Sequence, residues 1–287
     1  MAMELTSQIC RISGHDLHYK RGGNGPPLVF VHGVLGSHRV WADLAADLAE
    51  EYTVVVPDLF GHGASATHRG DYSLGAHAAA VRDLVQACGL DRVTIIGHSL
   101  GGGIALQFSY LFPERVRSLV LVASGGLGRE VNVLLRAPTL PGSEWILPMI
   151  ANRWARRQGA TLTRGLSLVG LRGGPDLAEA LSGFESLGDA EHRHAFLATI
   201  RAVVGPDGQR LSAREILPAI SVPTLVVWGD SDRMIPMSHA LEAVELIPGA
   251  RLEVFEKAGH FPHLDEPERF ASLVREFTGA LDDAPLG

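Results

Sequence analysis

The sequence predicts an α/β chain: a mostly parallel central sheet flanked by helices, with an inserted helical cap. Three observations predict it. The segments Leu28–Val31, Thr53–Val56, Val93–Ile96 and Val116–Ala123 are continuous apolar or nearly apolar runs, the pattern of strands buried on both faces. They alternate with stretches of helical periodicity, and a repeated β-α-β order gives a parallel sheet covered by helices on both sides. The alternation stops from Ser124 to about Ser221 and resumes with Thr224–Trp228, so the intervening block is expected to be helical and inserted between two core strands. The expected division is residues 1–123 and 222–287 for the core and 124–221 for the cap.

Each element has its own local reason. Residues 9–21 alternate loosely around Gly14, His15 and Asp16 and predict a hairpin of edge strands. The Pro26-Pro27 turn precedes the first buried strand, which ends in His32-Gly33-Val34-Leu35-Gly36; Trp41, Leu44, Leu48 and Ala49 then recur at helical spacing. The Thr53–Val56 strand runs into the glycine-rich loop Asp58-Leu59-Phe60-Gly61-His62-Gly63-Ala64-Ser65. A helix follows from about Leu74 to Cys88 and stops at Gly89, the residue type favoured just past a helix end. The last strand is Arg251–Phe255 and the closing helix Arg269–Leu281, with Asp282–Gly287 as a frayed tail.

Composition narrows the function classes. With 287 residues, 46% of them hydrophobic, the chain can bury a large core. A formal net charge of −7 argues against a nucleic-acid partner, because phosphate binding needs clustered positive charge. Cys10 and Cys88 are too few and too isolated for a disulfide framework or a zinc site. His192 and His194 lie two apart, on different faces of a helix, so no metal is expected there either. No basic leader with an apolar segment and no run of eighteen apolar residues occurs. A cytoplasmic protein without a transmembrane span is therefore expected, its oligomeric state left open.

The chemistry gathers around Gly97-His98-Ser99-Leu100-Gly101. This segment joins the Val93–Ile96 strand to a helix through a bend with a serine at its tip, the setting of a nucleophile elbow. A serine hydroxyl needs a general base and a group that orients the base. Asp230 and Asp232 follow the strand ending at Trp228, and His260 and His263 follow the strand ending near Phe255. Residues just past the carboxyl ends of parallel strands collect along one edge of the sheet. His260 is preferred over His263 because it stands directly after Gly259 at the strand end.

With these residues in place, the chain resembles the α/β-hydrolase family from about Leu28 to Leu281, the cap excepted. The resemblance rests on His32-Gly33, the Asp58–Ser65 loop, the elbow, and the acid and histidine turns, in the family's order of nucleophile, acid and histidine. It implies the α/β-hydrolase fold and a Ser99, Asp232 and His260 triad, Asp232 being favoured over Asp230 by the family's spacing from Gly229. It implies an oxyanion hole from the backbone N–H groups of Val34 and Leu100, and no cofactor. Asp58 and the Gly61-His62-Gly63 turn are expected to support the loops. A serine at position 99 disfavours the family's dehalogenases and epoxide hydrolases, which use aspartate there.

The cap bears on substrate. Gly125-Gly126-Leu127-Gly128 and Asp232-Arg233 with Ile235-Pro236 also resemble the meta-cleavage-product hydrolases. Phe261 departs from the tryptophan common there, and the first loop lacks their glycine-rich extension beyond Gly33. The segment Trp145–Arg157 places Ile146, Met149, Ile150 and Trp154 on one helical stripe. That stripe reads either as a lid face over an acyl chain, with its arginines toward a substrate carboxylate or a transient membrane-surface contact, or as ordinary packing. Arg129 and Arg136 are further candidate carboxylate partners. Leu35, Met234 and Phe261, with Val34 and Leu100, are expected to make the site apolar and substrate-binding. The leading expectation is hydrolysis of carboxylic esters with hydrophobic acyl groups, the substrate being a small-molecule ester or related carbonyl compound. The alternatives are carbon–carbon hydrolysis of meta-cleavage-product diketone acids and a non-catalytic small-molecule binding protein.

Overall fold

The structure, a computed structural model, describes residues 3–151 and 175–282. Its strands are β1 (Thr6–Ile12), β2 (His15–Gly22), β3 (Pro27–Val31), β4 (Thr53–Pro57), β5 (Val93–His98), β6 (Val116–Val122), the two-residue strands β7 (Val204–Gly205) and β8 (Gly208–Gln209), β9 (Thr224–Gly229) and β10 (Arg251–Phe255). Eight of them form one sheet in the order β1-β2-β4-β3-β5-β6-β9-β10. The β1–β2 and β2–β4 pairs are antiparallel and the remaining pairs parallel. This is the mostly parallel, helix-flanked sheet of the α/β-hydrolase fold.

The apolar runs are explained by two cores, one on each face. Val29, Val31, Val55, Ile95, Leu121, Val226 and Trp228 belong to one, and their strand neighbours Leu28, Phe30, Val54, Val56, Ile96, Val120 and Val227 to the other. Alternate side chains point to opposite faces, and both faces here are dry. Helices α1 (Ala42–Leu48), α2 (Leu74–Ala87) and α3 (Leu100–Leu111) follow β3, β4 and β5 in the chain. Helix α2 starts where Ser73 Oγ accepts the Ala76 N–H and ends before Gly89 at φ 70°.

Between β6 and β9 the described residues hold α4 (Val133–Arg136), α5 (Ser143–Ala151), α6 (Pro175–Ser186), α7 (Ala190–Val203) and the β7–β8 hairpin. They share a third apolar cluster, with Leu147, Ala151, Leu187, Phe196 and Ile200 at its centre and Val34 and Leu35 packed against it. The chain then returns through β9 to α8 (Ser238–Leu246), β10, the short α9 (Pro262–Asp265) and α10 (Pro267–Asp282).

The expected stripe on α5 faces the other way. Trp145, Ile146, Met149 and Ile150 are exposed, whereas Ser143, Leu147 and Ala151, at four-residue spacing, are buried. The smaller face fits against α6 and α7 and leaves the larger apolar side chains outside. Arg153, Trp154, Arg156 and Arg157 lie outside the described residues. Among the described residues no helix is long and apolar enough to cross a membrane.

Candidate active site

Ser99 sits between β5 and α3 in a backbone conformation that L-residues rarely adopt, φ 53° and ψ −115°. Such strain costs about 1–3 kcal/mol and persists only where its surroundings enforce it. Here the Ser99 N–H donates to the Val122 carbonyl at 3.0 Å, and its own carbonyl accepts from Gly102 and Gly125 at 3.0 and 2.8 Å. The flanking glycines are steric necessities. A β-carbon at Gly97 would fall on the Gly101 carbonyl, and one at Gly101 on the Val31 carbonyl. Gly33 is close as well, though less tightly, since a β-carbon there would lie 3.2 Å from that of Ser99. The bend brings the serine against the first loop.

Two other strand ends carry the acid and the histidine. His260 Nδ1–H donates to Asp232 Oδ2 at 2.8 Å, with the Asp232 side chain fully buried and that of His260 6% exposed. The second carboxylate oxygen accepts from the N–H groups of Met234 and Ile235 at 2.7 and 3.0 Å. Asp230 lies at the surface instead, accepting from the Lys257 N–H and the Ser231 hydroxyl. The histidine turn is held from both sides. Asp265 Oδ2 accepts the Gly259 N–H at 2.8 Å, and His98 Nε2–H donates to the His260 carbonyl at 2.9 Å. The ring centroids of His98, next to the serine, and His260 are 4.8 Å apart.

His263, the rival histidine, is stacked on Trp41 with ring centroids 4.1 Å apart, and both its ring nitrogens are buried without partners. Burial, reinforced by the nearby His260, pushes it down to about 3. Burial likewise lowers His62 to about 3 and His77 to about 4. All three stay neutral in the folded chain but take a proton near pH 6.5 when unfolded, so between those limits the unfolded chain binds more protons. Their contribution is therefore complete above pH 6.5 and is lost as pH falls toward 3. His263→Phe keeps a flat ring against Trp41 and removes two unpaired nitrogens. It is expected to leave the thermal midpoint at pH 7 equal or higher and to make its fall between pH 7 and pH 5 shallower, measured by thermal unfolding at both pH values.

The loops around the site are tied by a second histidine set. His32 donates from Nδ1 to the Gly33 carbonyl at 2.7 Å and accepts the Leu59 N–H on Nε2 at 3.0 Å, and burial lowers its pKa. Asp58 accepts from the N–H groups of His38 and Ala64 at 2.6 and 2.8 Å and from the Nδ1 atoms of His18 and His38 at 3.0 and 2.9 Å. Burial alone would raise its pKa, but the His38 ring, the nearby His32 and the Ala64 and His38 N–H groups outweigh burial and hold the carboxyl well below the usual range. His18, His38 and Asp58 are the group among the described residues that could bring three metal-ligating atoms together. The carboxylate already accepts four hydrogen bonds, the arrangement of a loop strut.

A cavity opens at the serine, lined by Val34, Ser99, Leu100, Leu135, Ile200 and Gln209 among others. None of its described lining residues carries a charge. Val34 and Leu100 line it, whereas Leu35, Met234 and Phe261 are not among its described lining residues. Leu35, at φ 60°, packs against the third cluster, with its β-carbon 2.7 Å from where a Gly183 β-carbon would stand. Phe261 lies on His98 with ring centroids 4.5 Å apart and joins the core on the other face of the sheet. Met234 serves the acid turn through its backbone. Arg129 and Arg136 are also absent from the lining; Arg129 pairs with Asp207 at 4.0 Å, and Arg136 donates to the Pro206 carbonyl at 2.6 Å. Gln209 and Asp265 were not among the residues expected from sequence. The Pro206-Asp207-Gly208 turn signal was available for the hairpin, but nothing local marks Gln209 as part of a site.

The sequence matches the Alpha/beta hydrolase family over residues 28–273. An uncharacterized protein of Mycobacterium tuberculosis is 36% identical over 285 residues, covering 97% of this chain and 83% of that one. A 2-hydroxy-6-oxo-6-(2'-aminophenyl)hexa-2,4-dienoic acid hydrolase of Metapseudomonas resinovorans is 28% identical, covering 94% and 90%. Among solved structures, a bacterial membrane phospholipase A described as a virulence factor superposes with a TM-score of 0.78 at 25% identity, over 98% of this chain and 87% of that one.

Proposed function

The chain belongs to the alpha/beta hydrolase family and is a hydrolase, and on that premise we propose that it cleaves carboxylic esters with hydrophobic acyl groups through an acyl-enzyme on Ser99. His260 takes the Ser99 proton as the hydroxyl oxygen attacks the carbonyl carbon. Asp232 holds the imidazole with its Nδ1 proton inward and stabilises the imidazolium. His260 then returns the proton to the leaving alcohol, and a water activated by the same nitrogen releases the acid. The N–H groups of Val34 and Leu100 receive the developing oxyanion; that of Leu100 is the first of α3 and has no acceptor within the helix. Residues 124–221, which contribute Val131, Leu135, Ile200, Val203, Val204, Gln209 and Leu211 to the cavity wall, act as its cap.

The observation that supports the ester reading is the largely apolar cavity beside Ser99, whose described lining carries no charge. A diketone acid carries a carboxylate, and burying that charge without a cation is costly. The dienoic acid hydrolase relative makes carbon–carbon cleavage the second reading. A series of p-nitrophenyl esters from acetate to octanoate is expected to show kcat/KM rising with chain length by about fourfold per added methylene, as about 0.8 kcal/mol of burial implies. A flat series would sink the acyl preference. Turnover of a dienol diketone acid, followed by loss of its absorbance and far exceeding that of any ester, would reverse the order of the two readings.

A further inference from the structure

Among the described residues that line the cavity beside Ser99, one long polar side chain breaks the apolar surface, that of Gln209 at the end of β8. The hairpin places it firmly: the Gln209 N–H donates to the Arg129 carbonyl at 2.8 Å. Its Oε1 accepts the Gly126 N–H at 2.6 Å, and the neighbouring Gly125 N–H donates to the Ser99 carbonyl at 2.8 Å. The amide is thereby tied, through two consecutive peptides, to the serine. Its Nε2, by contrast, is buried and has no hydrogen-bond partner among the described residues. The orientation follows from chemistry, because the Gly126 N–H needs an acceptor and so takes the oxygen end of the amide, leaving the NH2 at the other. A buried donor with nothing to bond is uncommon and calls for a partner.

The geometry points to Gln209 as a substrate-binding residue whose Nε2–H donates to a second oxygen acceptor, a keto, ester or ether oxygen, on the ester that Ser99 attacks. The inference rests on the reading of Ser99 given above and adds a substrate class to it: oxygenated esters rather than plain alkyl ones. The acceptor is neutral, because the donor is a neutral amide and the described lining holds no cation. Such a substrate exchanges one hydrogen bond to water for one to Gln209, whereas a plain alkyl ester leaves the donor unpaired. That asymmetry is what makes a polar group in an apolar pocket selective.

The test compares kcat/KM for p-nitrophenyl hexanoate with its 4-oxo and 5-oxo analogues, and for hexyl butanoate with 4-oxohexyl butanoate, so that the acceptor is offered on either side of the scissile bond. In the unmodified protein at least one oxygenated ester is expected to exceed its plain parent by about tenfold, equivalent to about 1.4 kcal/mol. Gln209→Glu keeps an acceptor for the Gly126 N–H and removes the donor, and is expected to bring that ratio to one or below. Gln209→Met makes the same comparison if the added charge prevents folding. Turnover of hexanoate with no preference for any oxygenated ester, or a preference that both variants retain, overturns the role of Gln209 and leaves that of Ser99 standing. Absence of turnover of every ester, with no labelling by a fluorophosphonate, overturns the Ser99 reading and this inference with it.

Discussion

Ser99→Ala is expected to lower kcat on p-nitrophenyl esters by about 10⁶-fold while leaving the thermal midpoint near its unmodified value. The magnitude is that found when the nucleophile of a serine hydrolase is removed, which costs about as much as removing the whole triad. The fold should tolerate the change, because the bonds that tie the bend to Val122, Gly102 and Gly125 use the backbone of residue 99. The measurement is steady-state turnover together with fluorophosphonate labelling, which the variant should lose. Activity within a hundredfold of the unmodified protein would remove Ser99 from the mechanism, and an unlabelled unmodified protein would favour a binding function.

Asp232→Asn should cost about 10⁴-fold in kcat, again without unfolding. The replacement amide can keep its oxygen on the Met234 and Ile235 N–H groups, which hold the acid turn. Its NH2 then faces His260 Nδ1, where the carboxylate now accepts a proton at 2.8 Å. Two donors cannot bond each other, so the imidazole proton moves to Nε2 and that nitrogen can no longer act as the base toward Ser99. Asp230→Asn is the control and should stay within about twofold, as expected of a surface carboxylate away from such features. An opposite order of the two variants, read from kcat at pH 8, would assign the acid to Asp230.

Much of the fold was legible because its signals are local. The four apolar runs mark strands since both faces of the sheet are covered, and the Ser73 and Gly89 caps mark the ends of α2. The elbow glycines were legible for the same reason: Gly97 and Gly101 stand where backbone meets backbone, and no other residue fits. Asp232 is different. Both carboxylates of the turn read alike in sequence apart from family spacing, and they are separated by burial and by the Met234 and Ile235 N–H groups.

Side-chain direction was the part that chain order could not carry. Leu35, Met234 and Phe261 each lie within a few residues of the serine turn, the acid or the histidine, or of the loop facing them, yet none is among the described residues that line the cavity. Leu35 is turned away by a left-handed backbone, and Phe261 is drawn into the opposite core by its contact with His98. The α5 stripe has a readable period, but a period does not say which side is buried; Leu147 and Ala151 win because they fit between α6 and α7. Gln209 reaches the site through a hairpin far along the chain from Ser99.

Residue order alone therefore fixes what depends on near neighbours: the strand runs, the strained serine bend, and the acid and histidine at successive strand ends. The choice between Asp230 and Asp232, the retirement of His263 beneath Trp41, and the identity of the cavity wall depend on groups brought together from distant parts of the chain. Burial and hydrogen-bond pairing are properties of that assembled environment, and they set which polar groups are held, neutralised or left with a hydrogen bond to give.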